Sequence, residues 1–166
     1  MPKGPLSSTV RKEVSAGVIG DGVFDVVRAN MVVEHLTAPG AVFAEVQRVL
    51  RPGGQFIFVT PNLNSPYMRA AAHTPDGVKR MLARVFEGRT ENDVFPTTYR
   101  MNTEASIRAA AERIGFRVIR LEHRNSTAIT APLGPLAIPE LLFIRVLGSS
   151  LLRKFRINLL VGLEKI

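Results

Sequence analysis

The chain contains no cysteine. That excludes a disulfide framework, a thiolate nucleophile and a cysteine metal site, and it agrees with the reducing cytoplasm, the compartment expected for it. Long apolar runs are also missing. Pro139 and Arg145 interrupt the one extended candidate, so nothing approaches the roughly 20 apolar residues of a spanning helix. The opening stretch, MPKGPLSSTVRKEV, carries positive charge with no apolar segment behind it, so no signal peptide is expected. His73, His123, Glu91 and Asp93 make no metal-ligand spacing, and no serine sits in a nucleophile elbow. Internal repeats and low-complexity tracts are absent as well.

What is present suits one globular, soluble domain: 166 residues, of which 46% are hydrophobic, enough to bury a sizeable core. A net charge of +8 would fit an anionic partner. Yet the arginines are spread through most segments, so a solvated, mildly basic surface is expected in preference to a nucleic-acid site.

The stretch 24–62, FDVVRANMVVEHLTAPGAVFAEVQRVLRPGGQFIFVTPN, organises the rest. It predicts a strand, a helix and a second strand, which is a parallel βαβ unit whose strands are covered on both faces and need not alternate. Thr37 or its neighbour caps the helix, Pro39 sits in its first turn, and Val42, Phe43, Val46, Val49 and Leu50 make its apolar face. Pro52, Gly53 and Gly54 end it and turn the chain back at Gln55. Open sheets of this kind bind ligands beyond the carboxyl ends of their strands, here residues 29–36 and 60–64.

Upstream, Val10, Val14 and Val18 suggest a short strand, and Gly17, Gly20 and Gly22 a turn leading into Phe24. Downstream, residues 62–101 form a long insertion with a helical patch at 76–86. Insertions of that length are usually lids or disordered segments. Tyr67 and Tyr99 either line a substrate pocket under it or pin it to the core. Asn102 or Thr103 caps a helix with Ile107, Ala111 and Ile114 as its buried stripe, and Gly115 ends it. RVIRLE, 117–122, alternates like a half-exposed strand. From Pro139 an apolar helix, ELLFIRVLGSSLLRKF, is expected to pack against the sheet, with lying on a membrane as the lesser alternative. INLLVGLEKI reads as the last strand.

FDVVRANMVVEHL, RVLRPGG, FIFVTPN, DVFPTTYRMNT before a helix ending IGF, and the terminal NLLVGLEKI together resemble the C-terminal portion of class I S-adenosylmethionine-dependent methyltransferases of the small-molecule, type 11-like group. The resemblance covers residues 23–166. It implies an α/β, Rossmann-like sheet whose strands run third, second, first, fourth, fifth, seventh, sixth, with the last antiparallel. Segments 24–33, 55–60, 117–122 and 157–166 then correspond to the fourth, fifth, sixth and seventh strands. The glycine-rich cofactor loop, E/D-x-G-x-G-x-G, and the ribose-binding acid of the second strand do not occur, and the 23 residues before Phe24 leave no room for two strands and their helices. The expectation is therefore a poorly structured segment at 1–22 and a partial, truncated methyltransferase domain at 23–166, with 62–101 as its lid or substrate insertion.

The resemblance implies S-adenosylmethionine as cofactor, with Asn30, Met31 and Glu34 beside it, and a small-molecule acceptor near Tyr67, Tyr99 and Arg100. His35 is the candidate base for the acceptor's proton or a histidine that orients the loop. Glu34 accepts a hydrogen bond from substrate or caps the loop. No metal is implied. Full activity would need the missing half of the cofactor site. The alternative is a non-catalytic remnant that binds a partner protein through the unpaired edge of the strand beginning at Phe24.

Overall fold

The computed structural model describes residues 19–75, 77, 97–125, 134–135 and 137–166. The expected strand through Val10, Val14 and Val18, the helical patch at 76–86, and Glu91 with Asp93 lie outside them, apart from Gly77.

Four strands form one sheet: β1 (Phe24–Asn30), β2 (Leu50–Pro61), β3 (Phe116–Arg124) and β4 (Asn158–Lys165), in the order β1-β2-β4-β3. β1 and β2 are parallel because helix α1 (Pro39–Val49) carries the chain back between them. β4 is antiparallel to both β2 and β3, so β3 points the same way as β1 and β2. The order and the antiparallel last strand are those the resemblance implies.

The PGG sequence sits within β2 as a register irregularity. Phe24 pairs with Leu50 but Val26 with Gln55, so the residues between bulge out of the ladder. Gly53 takes φ 74°. A Cβ on Gly54 would stand 2.8 Å from the Arg51 carbonyl oxygen and 3.1 Å from that of Phe24. Only glycine fits there, which is why the motif reads as a break in sequence and yet keeps the strand.

One face of the sheet is packed. Phe56 and Phe58 project from β2 between Phe43 of α1 and Leu159, Val161 and Leu163 of β4. The Phe43 ring meets both edge-to-face at 5.2 and 5.5 Å. Helix α3 (Glu104–Ile114) closes this core with Ile107, Ala110 and Ala111. Each fully buried phenylalanine contributes about 1.5–3 kcal/mol. Thr103 and Ser106 cap α3 reciprocally, and Gly115 ends it in the left-handed region.

The opposite face, with Ile57, Val59 and Leu160, stays partly exposed, and Phe24 and Val26 of β1 are exposed too. Parallel sheets normally carry helices on both faces; the described residues clothe one. Among them nothing pairs with the outer edge of β1.

Three expectations change. β1 stops at Asn30 instead of running to 33, because Met31 turns into the left-handed region (φ 52°) and a 3-10 turn, Val33–His35, follows. The N-cap of α1 falls on Ala38, the neighbour of Thr37, but of the expected apolar face Val42 is exposed and Leu50 opens β2. The apolar helix near the C-terminus, α4 (Ile138–Leu147), is shorter than expected and does not pack its stripe into the core. Ile138, Leu141, Leu142 and Val146 recur at helical spacing on an outward face, the last two 57% exposed, while Leu147 alone is buried. Among the described residues no helix is long and apolar enough to cross a membrane.

Candidate functional site

The carboxyl ends of β1 and β2 lie side by side, Asn30 opposite Val59, and the Met31 N–H donates to the Val59 carbonyl at 2.9 Å. Beyond them the chain enters the 3-10 turn, which swings Glu34 inward until it is 3% exposed. A chain of hydrogen bonds meets it there. Asn102 Nδ2 donates to Thr60 Oγ1 at 2.7 Å and to the Pro61 carbonyl at 3.0 Å, and Thr60 Oγ1 donates onward to Glu34 Oε2 at 3.4 Å. Burial pushes the Glu34 carboxyl above its usual range, against the opposing pull of its backbone hydrogen bond, His35 and Thr60. Asn102 Oδ1 is buried without a protein partner.

A second segment clamps the same turn. The Glu34 carbonyl accepts from Thr98 N at 2.7 Å and Tyr99 N at 3.1 Å, and Thr98 Oγ1 donates to the Leu36 carbonyl at 2.7 Å. Tyr99 itself sits at φ 49°. Met31 and Tyr99 are the positive-φ residues other than glycine among those described, and both border Glu34. A left-handed conformation costs an ordinary residue roughly 1–3 kcal/mol and persists only where its surroundings hold it. Below, Asn62 Nδ2 donates to the carbonyls of Lys154 and Arg156, at 3.0 and 2.7 Å, and fixes the exit of β2.

Asn30 is exposed at the end of β1, and Met31 is 42% exposed beside it. Glu34 and His35 follow on the 3-10 turn, His35 part-buried. Tyr99 is part-buried against Glu34, and Arg100 is exposed next to it. These six come together. Tyr67 stands apart on α2 (Pro66–His73), its ring 6.2 Å from that of Phe143 on α4. Thr98 and Asn102 escaped the sequence reading as site residues, and Thr60 entered it only as the start of the 60–64 ligand edge. Of the two expected cap candidates, Asn102 and Thr103, it is Thr103 that caps α3, which leaves the Asn102 side chain to the polar chain. His73 is exposed and its Nδ1 lies 2.7 Å from the Arg69 carbonyl. Among the described residues no cluster of histidine or carboxylates could hold a metal.

Comparison with known proteins follows this geometry. A family model described as a methyltransferase domain matches residues 7–121. No curated protein matches. Among solved structures, a putative S-adenosylmethionine-dependent methyltransferase from Listeria monocytogenes is 12% identical, with a TM-score of 0.58 over 99% of this chain and 71% of that one. An S-adenosylmethionine-dependent methyltransferase from Mesorhizobium loti is 18% identical, with a TM-score of 0.52 over 89% of this chain and 64% of its own. A complex between the Haloferax volcanii Trm112 methyltransferase activator and a putative methyltransferase gives 18%, 0.51, 90% and 57%. The chain thus spans somewhat under two thirds of the last two. With the family model covering most of its length, this chain belongs to the methyltransferase domain family.

Proposed function

We propose that the chain is an S-adenosylmethionine-dependent methyltransferase domain acting on a small-molecule acceptor, with the cofactor held at the carboxyl ends of β1 and β2. The observation that carries this is the pair of left-handed residues, Met31 and Tyr99, set around the buried Asn102–Thr60–Glu34 chain at the sheet edge where open α/β sheets take ligands. When bound, the cofactor supplies an electrophilic methyl group on its sulfonium. The exposed Asn30 amide and the backbone around Met31 are the groups of this chain placed to hold it. Glu34 is a positioning residue: its carboxylate is engaged by Thr60 and its carbonyl by Thr98 and Tyr99. His35, next on the turn, takes the acceptor's proton. Tyr99 and Arg100 line the acceptor side; Tyr67, set apart on α2 beside Phe143, is left out of it. A cytoplasmic site of action accords with the lack of cysteine.

The sequence has no E/D-x-G-x-G-x-G loop, so these residues fit the cofactor on one side only. The remaining polar contacts would come from a strand added to the outer edge of β1, which is unpaired among the described residues. That edge also supports the second function, a non-catalytic domain that binds a partner protein. A methyltransferase related in fold forms a complex with an activator, and a comparable partner is proposed here.

Calorimetric titration with S-adenosylmethionine separates the two. A saturable one-to-one heat that weakens in Asn30→Ala is expected for the enzyme. Silence from a chain shown to be folded by circular dichroism rejects unaided cofactor binding and leaves the partner-binding domain.

A further inference from the structure

We infer that the carboxyl end of β3 carries a binding site for the phosphate group of a small-molecule ligand, separate from the β1–β2 edge. It stands on geometry independent of methyl transfer. A cavity of about 670 Å³ opens there, walled by Arg108, Glu122, His123, Arg124, Arg153 and Arg156 among others. Its size lies within the range of small-molecule sites. The four arginines come from three places in the chain, α3, the end of β3 and the turn before β4, and converge on one hollow. Polynucleotide sites instead track along a groove.

The charges do not cancel. Glu104, also on the wall, is taken by Arg108 at 2.9 Å, and Glu122 by Arg120 at 2.7 Å and Arg124 at 3.4 Å. Arg153 and Arg156 have no carboxylate among the described residues. Arg156 is moreover fixed in place: its guanidinium donates to the carbonyls of Gly148 at 2.9 Å, Leu147 at 3.2 Å and His123 at 3.2 Å. Carbonyls orient a guanidinium without neutralising it, and two of its five N–H donors remain for a ligand. Burial first, and then Arg153 and Arg156, push the His123 imidazole below the usual range despite Glu104 nearby.

Two uncompensated guanidiniums, one held rigid, match a dianion better than a carboxylate, and the planar fork suits phosphate oxygens. Asn125 also lines the cavity, and its Nδ2 bond to the Ile144 carbonyl ties the end of β3 to α4.

Inorganic phosphate is the probe. In heteronuclear NMR of the full chain, saturable shifts confined to 122–125 and 153–156 are expected, with acetate binding more weakly. Arg153→Gln should weaken phosphate about tenfold, the loss of one charged hydrogen bond, and Arg117→Gln, on the same strand but paired with Glu164 at 2.7 Å, should leave it unchanged. Arg156→Gln removes three structural bonds, so the test relies on Arg153→Gln with its fold verified. Absence of saturation, equal loss in Arg117→Gln, acetate as strong as phosphate, or an oligonucleotide whose binding falls equally with every arginine removed would each overturn the site.

Discussion

At the carboxyl ends of β1 and β2 the polar groups are buried and bonded to one another, whereas at the carboxyl end of β3 they face an open cavity and two guanidiniums lack a counter-charge. The two ends belong to one sheet edge, yet the first is built from amide, hydroxyl and carboxyl groups linked in series and the second from arginines. Buried polar groups must be satisfied or they cost stability. Exposed charges contribute little to folding and remain free for ligands. Rigidity is therefore concentrated where two backbone turns are held in a strained conformation, and charge where the backbone is relaxed.

The largest effect expected from this contrast is at Asn102. Asn102→Ala leaves the Thr60 hydroxyl and the Pro61 carbonyl short of a donor, and should destabilise the chain by about 2–3 kcal/mol in denaturant titration. Thr98→Val, which removes the hydroxyl bound to the Leu36 carbonyl, should cost about 1 kcal/mol. Arg124→Ala should stay within about 0.5 kcal/mol of wild type. Equal losses at Asn102 and Arg124 would erase the difference between the two ends.

Glu34 sharpens it through pH. Its carboxyl is raised by burial, so the folded state binds its proton more tightly than the unfolded one. Stability should fall as pH rises from the unfolded carboxyl range through the folded one, and level off above it. Glu34→Gln cannot ionise. Its stability relative to wild type should improve across that window and converge with it at lower pH; a wild type that gains on the variant as pH rises would show that the carboxylate, not its neutral form, suits the site. The smallest stability effect is expected for Met31→Gly. Relief of a left-handed side chain and the added freedom of glycine are similar in size, so the midpoint should hardly move while cofactor binding weakens.

Much of this architecture was legible because it depends on local chemistry. Pro39 in the first turn, Phe43, Val46 and Val49 at helical spacing, Thr103 ahead of α3 and Gly115 behind it each act within a few residues, and each marks an element the structure contains. Strand order followed from the family pattern. The polar chain was not legible, since Glu34, Thr60 and Asn102 are 26 and 42 residues apart and nothing in one segment announces the others. Nor was the outward turn of α4: an apolar stripe has the same spacing whether it meets a sheet or solvent, and only tertiary contacts decide which. Tyr67 and Tyr99 read alike in sequence, but the ring of one lies tilted beside Phe143 and the backbone N–H of the other donates to the Glu34 carbonyl.

The most direct test maps the cofactor onto the edge. Backbone amide shifts recorded while S-adenosylmethionine is added should move at residues 30–36 and 98–100 and leave 122–125 in place. Shifts centred on 122–125, or none in a folded chain, would contradict cofactor binding at the ends of β1 and β2.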